Sequence, residues 1–460
     1  MQKGGLAGLR AELEGMRAAR AVGRVTRAGG GLVRVSGLAE AAALGDLVRL
    51  EAATGALGGE IVEIHSEGAC VLPESDGTGL RVDDAVVHLG PATISPDAAW
   101  LGRIVDANGR PLDGRPLRPG PAPRALRGVP PHPVTRRALG PRLATGVAIF
   151  DTLLPLARGQ RLGLFSGSGV GKSSLLAALG RGVEADVAVV ALVGERGREV
   201  RDFVERALGA DGMARAVVVA ATSDRSPLER RRALWSAMAV AEHFRDSGRH
   251  VLLLADSVTR FAEAHREIAL AAGEQAVLGG FPPSVAALLM ALAERAGPGP
   301  AAAGGDITAI FSVLVAGADM DGPVADILRG VLDGHVVLDR AIAERGRFPA
   351  IDVLRSVSRS LPGCASDEEN ALIGLARRHL GAYDRAELMV QSGLYVSGSD
   401  PEVDAALAAW PALGAFVTER SDSVAAAFAR LATALGRRPP RPAPPGPSGA
   451  ASGSSGAGGG

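Results

Sequence analysis

The chain has 460 residues, and its 50 basic and 50 acidic side chains cancel to a net charge of zero. This balance and an aromatic content of only 3% argue against a nucleic-acid partner, which requires a basic face or stacking platforms. A hydrophobic content of 47% at this length predicts two or three globular domains.

Residues 1–20 are predicted to form a helix, because Leu6, Leu9, Leu13 and Met16 recur at helical spacing. The apolar side of this helix would either pack on its own domain or dock a partner. Residues 21–93 carry short β-rich segments punctuated by glycine about every ten residues, which is typical of a small antiparallel β-barrel. These segments are 31–36, 46–50, 59–64 and 85–89.

Residues 94–365 are predicted to form an α/β domain that begins with a connector. Near-continuous apolar runs alternate with helical segments there, which indicates a parallel sheet covered by helices on both faces. The runs are 161–165, 187–193, 216–221, 250–255 and 307–315. Residues 366–436 show helical patterning without strands, so we expect a helical C-terminal domain. Residues 437–460 are rich in Pro, Gly, Ser and Ala and are predicted to be disordered.

The compartment follows from three further features of the sequence. Cys70 and Cys364 lie far apart without metal-type spacing, which favours thiols in a reducing compartment. No apolar run reaches the roughly 18 residues that span a bilayer. The N-terminus is charged and lacks the apolar core of a secretion signal, so we expect a cytoplasmic protein.

A glycine-rich loop follows the first predicted strand of the α/β domain and leads into a helix. Loops of this kind bind the phosphates of a nucleoside triphosphate through backbone N–H groups and the helix N-terminus. Lys172 would reach the β- and γ-phosphates, and the Ser173 hydroxyl would ligate Mg²⁺. The candidate binding residues are Gly167, Ser168, Gly169, Val170, Gly171, Lys172, Ser173 and Ser174. The usual pattern has glycine where this chain has Ser166, and the alternative is an ordinary glycine turn.

Two acids follow other predicted strands, where ligands of open α/β sheets bind. Asp256 would hold the Mg²⁺ shell, with a helix N-cap as the alternative. Glu195 would orient the attacking water, with a salt bridge to Arg196 or Arg198 as the alternative. Spacing does not identify the cation that hydrolysis also requires: Arg359 is one candidate, and a surface arginine is the alternative.

The motifs resemble those of the ATPases of type III protein export, in their flagellar form. These enzymes are relatives of the catalytic subunit of rotary ATP synthases, and the similarity covers about residues 20–410. It rests on the segments 101–114, 159–173, 194–200, 221–228, 256–262, 266–274, 280–285, 332–335 and 349–359. The segments Asp-Ser-Val-Thr-Arg-Phe-Ala at 256–262 and Gly-Phe-Pro-Pro-Ser at 280–284 are closer to export ATPases than to synthases.

The resemblance implies roles in a site that binds ATP and Mg²⁺. Lys172 and Ser173 match the phosphate lysine and the Mg²⁺ hydroxyl. Glu195 matches the catalytic glutamate, Arg196 the arginine beside it, and Asp256 the Walker-B acid. The resemblance therefore implies a Mg²⁺-dependent hydrolase with a central P-loop domain of the RecA type.

Two further matches imply an assembly. Arg359 matches an arginine finger that the family inserts into a neighbouring subunit's site, and Phe348 matches an aromatic residue that stacks on adenine. A chain with both halves of a site needs no different subunit, so a homo-hexameric ring is the simplest assembly. The resemblance also implies a stator-like negative regulator at the N-terminal helix and a coiled-coil stalk in the central channel. A membrane export gate at the cytoplasmic face of the inner membrane, export substrates and their chaperones complete the implied partners.

Several positions depart from the family's pattern without touching the catalytic set, among them Ser166, Ala148 and Ala318. The charge run Glu-Arg-Arg-Arg at 229–232 is denser than usual and is predicted to be a solvated helix face. The predicted function is ATP hydrolysis that energises export of flagellar proteins. The alternatives are a virulence injectisome ATPase, a rotary ATP synthase subunit, an RNA-dependent hexameric helicase and a catalytically dead scaffold.

Overall fold

The computed structural model describes residues 19–277, 279–301, 304–315, 320 and 322–440. Residues 1–18 of the predicted N-terminal helix, residues 441–460 of the predicted tail, and Ala318 lie outside the described residues. Within the described ranges, no helix is both long and apolar enough to cross a membrane.

The N-terminal domain is a closed antiparallel barrel of six strands in the order β1-β2-β5-β4-β3-β6. The strands are β1 (Val22–Gly29), β2 (Leu32–Ser36), β3 (Leu47–Ala52), β4 (Gly55–His65), β5 (Gly68–Pro73) and β6 (Ala85–Gly90). Alternate side chains such as Val25, Val33, Val48 and Ile61 point inward and form the barrel core. The barrel prediction is confirmed, but β1 and β5 were missed. In β1 the inward positions include Gly23, so the apolar alternation is weak.

The central domain holds a nine-stranded sheet in the order β17-β16-β10-β15-β13-β11-β12-β8, with β14 paired to β15. Its strands are β8 (Arg103–Val105), β10 (Arg161–Ser166), β11 (Val187–Glu195), β12 (Ala216–Thr222), β13 (His250–Asp256), β14 (Gly297–Pro298), β15 (Asp306–Leu314), β16 (Gly334–Leu338) and β17 (Ile351–Ser358). All are parallel except β14 and β17. The five predicted apolar runs form β10, β11, β12, β13 and β15, which confirms the parallel-sheet prediction. The short strands β7 (Thr93–Ile94) and β9 (Arg124–Ala125) pair with each other outside this sheet.

Twelve α-helices in the described ranges cover the sheet and build the C-terminal domain. They are α1 (Ala148–Asp151), α2 (Lys172–Gly182), α3 (Gly197–Asp202), α4 (Gly209–Ala214), α5 (Pro227–Asp246), α6 (Val258–Ala271), α7 (Ser284–Arg295), α8 (Pro323–Val331), α9 (Arg340–Glu344), α10 (Asp367–Gln391), α11 (Pro401–Phe416) and α12 (Val424–Ala434). A π-helical segment, Phe203–Leu208, joins α3 and α4. Helices α5 and α10 each begin at a serine–glutamate capping box, which satisfies N–H groups of the first turn. The helices α10, α11 and α12 confirm the predicted helical C-terminal domain.

The prediction of a solvated arginine run on α5 is wrong. Arg231 and Arg232 are each only 2% exposed. The buried barrel residue Glu60 compensates them, with oxygens 2.5 Å from Arg231 Nη2 and 3.7 Å from Arg232 Nη2. Arg232 also donates to Glu74 at 2.6 Å, and Arg127 approaches Glu60 at 3.3 Å. This Glu60 cluster joins the barrel to the central domain.

The guanidinium groups of the Glu60 cluster also pack on an aromatic ring. Arg127 and Arg231 each lie 4.8 Å from the centroid of Trp235. Cation–π contact lowers the cost of burying a guanidinium because the negative ring face replaces part of its hydration. Two barrel carboxylates and one indole ring therefore explain how two consecutive arginines on α5 leave the solvent.

We predict that Glu60→Gln destabilises the protein by about 3–5 kcal/mol, because it leaves buried arginines without their carboxylate. The measurement is the free energy of unfolding in urea at neutral pH. Glu51→Gln on the same barrel is the matched control. Glu51 pairs with Arg49 at 2.6 Å, but both side chains are at least 40% exposed, so the control should lose less than about 1 kcal/mol. Equal losses in the two variants would contradict a structural role for the Glu60 cluster.

Candidate active site

The glycine-rich loop joins the end of β10 to the start of α2. Gly169 and Gly171 have φ values of 78° and 87°, in the left-handed region that favours glycine. Gly171 is the N-cap of α2, so the first N–H groups of this helix point toward the loop. A cavity of about 710 Å³ opens in front of the loop and is lined by Lys172 and Ser173. The loop therefore has the geometry and polarity of an anion-binding site.

Lys172 bridges the loop to the predicted Walker-B acid. Its Nζ forms a short ion pair with Oδ1 of Asp256, which is 3% exposed at the end of β13. Ser312 on the neighbouring strand β15 also donates to Asp256 Oδ1, at 2.6 Å. The helix N-cap is not Asp256 but Ser257, whose hydroxyl accepts from the Arg260 N–H at 3.3 Å. Asp256 is thus a buried carboxylate that faces the phosphate loop.

Glu195 lies on the other side of the same lysine, with Oε1 3.7 Å from Lys172 Nζ. Burial, followed by the nearby negative charge of Asp256, raises the pKa of Glu195 to about 7. Arg196, the first partner considered for Glu195, instead pairs with Glu199 at 3.4 Å. A carboxylate with a pKa near neutrality is suited to accept a hydrogen bond or a proton from water.

The residues at this edge fit a magnesium ion. Ser173, Glu195 and Asp256 line one further cavity of about 240 Å³ next to the phosphate loop. Hydroxyl and carboxylate oxygens are the hard donors that Mg²⁺ prefers, and this ion commonly binds through one or two protein ligands plus phosphates. Ser173 and Asp256 would hold the ion, which when bound neutralises charge on the phosphate oxygens.

Two arginines at the cavity were not predicted from the sequence. Arg260 lies one turn into α6, and Arg230 on α5 forms a bidentate ion pair with Glu267 at 2.9 and 3.0 Å. The position of Arg260 four residues after Asp256 could have indicated it, because a helix that follows a strand end starts at the ligand edge. Arg230 had no such signal, since it belongs to the run that was interpreted as solvated.

Phe348 lies beside the loop, as its predicted role requires. A side chain built on Gly171 would approach Phe348 Cδ1 to 3.2 Å, so the ring lies against the phosphate loop. Phe348 is 50% exposed, so part of its surface is accessible to a ligand. A planar base such as adenine can stack on an aromatic ring of this kind, which is the contact predicted for Phe348.

Arg359 does not join these residues within one chain. Its N–H donates to the Asp333 carbonyl at 3.0 Å, and the Asp333 N–H donates to the Arg161 carbonyl at 2.8 Å. Arg359 is therefore level with the start of β10, whereas the phosphate loop leaves the end of β10. The two ends are five residue steps apart, roughly 17 Å along the strand. The exposed Arg359 side chain donates from Nη2 to the Arg329 carbonyl on α8 at 3.4 Å.

Comparison with known proteins places the chain among ATPases. Residues 146–358 match the nucleotide-binding domain of the ATP synthase alpha/beta family, and residues 365–435 match the C-terminal domain of the type III secretion ATPase EscN. The first range contains Lys172, Glu195 and Asp256 and ends one residue before Arg359.

Curated relatives and solved structures agree with the family models. The flagellum-specific ATP synthase of Caulobacter vibrioides is 46% identical over 86% of this chain and 91% of its own length. The type 3 secretion system ATPase of Xanthomonas euvesicatoria is 42% identical over 91% of this chain and 94% of its own length. Assembled EscN from enteropathogenic E. coli, in complex with its central stalk EscO, matches with a TM-score of 0.82 at 37% identity. That match covers 90% of this chain and 100% of the EscN chain.

We predict that Glu195→Gln changes how the stability of the ligand-free protein depends on pH. The pKa of Glu195 rises from 4.5 to about 7 on folding, so the folded state binds more protons between these values. The stabilisation that protonated Glu195 provides is complete below pH 4.5 and is lost as pH rises through 7. The free energy of unfolding should therefore decrease between pH 5 and pH 8, and the decrease should be larger in the wild type than in Glu195→Gln by on the order of 2 kcal/mol.

Glu205→Gln is the control for the pH experiment. Glu205 is 55% exposed in an ion pair with Arg201, so its removal should leave the wild-type pH profile unchanged. Parallel profiles for wild type and Glu195→Gln would contradict the raised pKa.

Proposed function

Because the chain belongs to the ATP synthase alpha/beta family, in the branch of flagellum-specific ATP synthases and type 3 secretion system ATPases, we propose that it hydrolyses ATP to energise export of flagellar proteins. The observation that carries this proposal is the meeting of Lys172, Glu195 and Asp256 beside the phosphate loop. A scaffold without catalysis would not require a partly buried lysine between two acids beside a phosphate loop.

In the proposed reaction, water attacks the γ-phosphate of ATP. Lys172 leaves Asp256 and binds the β- and γ-phosphates, because their negative charge competes with that of Asp256. The N–H groups at the start of α2 bind the same phosphates. Glu195 orients the attacking water, and Arg196 at the mouth of the cavity contributes positive charge. Ser173 and Asp256 retain the magnesium ion, and Phe348 stacks on adenine.

The second half of the site comes from a neighbouring copy of the chain. We assign to Arg359 the arginine finger, because it is exposed and lies at the sheet edge opposite its own phosphate loop. Such a finger contributes about 10³–10⁵ in rate in comparable phosphoryl-transfer systems. A homo-hexameric ring is the proposed assembly, and the structure of assembled EscN supports it.

The proposed partners follow the family. A coiled-coil stalk would occupy the central channel, as the EscN–EscO complex suggests. A stator-like negative regulator would bind the N-terminal helix, and a membrane export gate, substrates and chaperones would contact the ring. We propose a location in the cytoplasm at the inner face of the membrane that carries the export gate, without a nucleic-acid partner.

The injectisome is the second candidate system, because type 3 secretion ATPases match nearly as well as flagellar ones.

We predict that the chain restores motility to a flagellated bacterium that lacks its own flagellum-specific ATP synthase. The measurement is swimming diameter in soft agar, with Lys172→Ala as the inactive control. Rescue of effector secretion in an injectisome ATPase deletion, without rescue of motility, would contradict the flagellar assignment.

We predict that Lys172→Ala and Arg359→Ala each abolish ATP hydrolysis and that mixing them restores part of it. A complete site forms where an intact Lys172 cradle meets an intact Arg359, which occurs at roughly a quarter of the interfaces in a random equal mixture. The measurement is phosphate release by the separate and the mixed, reassembled variants. Full activity of Lys172→Ala alone would contradict the site, and no recovery on mixing would contradict a shared one.

A further inference from the structure

In the segment between α9 and β17, two consecutive side chains contact different parts of the molecule. Phe348 lies against Gly171 of the phosphate loop. The preceding side chain, Arg347, points away from that loop, and its Cζ is 5.1 Å from the ring centroid of Trp410 on α11. One residue of this segment therefore lies against the phosphate loop, and the residue before it contacts the C-terminal domain.

An aromatic stack carries this contact into the C-terminal helices. The rings of Trp410 and Tyr383 on α10 are 3.7 Å apart and nearly parallel, with an interplanar angle of 8°. Arg345 adds a second connection, because its Nη1 donates to Glu387 on α10 at 2.6 Å. Both helices that form the α10–α11 hairpin are thus tied to the segment that carries Phe348.

The surroundings of Arg347 show that the stack is its main support. Burial lowers the pKa of Arg347, with Arg345 a further cause. The buried Nε of Arg347 has no hydrogen-bond partner within the described part of the chain. The face of Trp410 therefore compensates a guanidinium that has lost much of its water. A cavity of about 220 Å³ beside the stack leaves room for the rings to shift.

We infer that Arg347 and Trp410 are positioning residues for Phe348, and that they couple occupation of the adenine position to the α10–α11 hairpin. The inference rests on the proposed function, because it requires a base to stack on Phe348. Neither residue lines the cavity in front of the phosphate loop, so their effect should depend on the base of the ligand.

The test compares two magnesium-bound probes, one with a nucleoside and one without. Adenylyl imidodiphosphate carries adenosine, whereas tripolyphosphate has neither the base nor the ribose. Arg347→Ala should weaken binding of adenylyl imidodiphosphate about three- to thirty-fold, the range of a desolvated cation–π contact, and leave tripolyphosphate binding unchanged. Arg340→Ala is the matched control, since Arg340 on α9 is 79% exposed and, among the described residues, pairs only with nearby Glu344.

The conservative variant and tryptophan fluorescence separate positioning from a merely structural role. Trp410→Phe keeps an aromatic face and should retain wild-type affinity for both probes, whereas Trp410→Leu should behave like Arg347→Ala. The chain has three tryptophans, of which Trp100 and Trp235 are buried in a different hydrophobic cluster from the one that Trp410 packs against. Adenylyl imidodiphosphate should change the fluorescence of the wild type, and Trp410→Phe should abolish the change.

The outcomes distinguish this inference from the function on which it rests. Equal weakening of both probes by Arg347→Ala, or weakening of neither, would overturn the inference while the proposed function stands. Failure of the wild type to bind adenylyl imidodiphosphate would overturn the proposed function and the inference together. Selective loss of the base-bearing probe, with retention in Trp410→Phe, would establish the coupling.

Discussion

The candidate site depends on one lysine shared by two buried carboxylates. Strands β10, β11 and β13 run parallel, so residues that follow them are far apart in sequence but meet at one sheet edge. Lys172 balances only one of the two negative charges there. Burial, followed by the negative charge of Asp256, raises the pKa of Glu195 above that of an ordinary glutamate. The two carboxylates therefore carry more negative charge than one lysine can balance, and a ligand with its metal would change this balance. Binding of a nucleotide with its metal would therefore reorganise all three side chains at once.

The central domain is connected to both of its neighbours by ion pairs. Toward the barrel, Arg231 donates to Glu60 and Arg232 donates to Glu74, and such buried ion pairs require a defined geometry and lose much when a partner moves. Toward the C-terminal helices, the contact of Arg347 with Trp410 is accompanied by ion pairs, Arg345–Glu387 at 2.6 Å and Arg142–Glu369 at 3.1 Å. Charged contacts of defined geometry therefore hold both neighbours, and an aromatic stack is added on the helical side.

The sequence was sufficient wherever the signal is local or follows from strand direction. The phosphate loop has a contiguous pattern, and the apolar runs predicted the strands that place Glu195 and Asp256 at one edge. The sequence was insufficient where the partner of a buried charged residue is far away along the chain. Arg231 is buried because of Glu60, 171 positions away, and nothing near α5 signals that partner. Ser312 was missed for the same reason, because only the pairing of β15 with β13 brings it to Asp256.

The position of Arg359 has a consequence for how sites are counted in an assembly. Each subunit presents a cradle on one side and its proposed finger on the other, so the contact between copies is head-to-tail rather than two-fold. An open arc then has one cradle at its end that no finger completes, and one finger that completes nothing. Joining the two ends creates the last site out of two surfaces that were idle. Closing the ring thus adds one complete site without adding a subunit. An arc of two subunits has one complete site for two cradles, which is the lowest ratio of any arc.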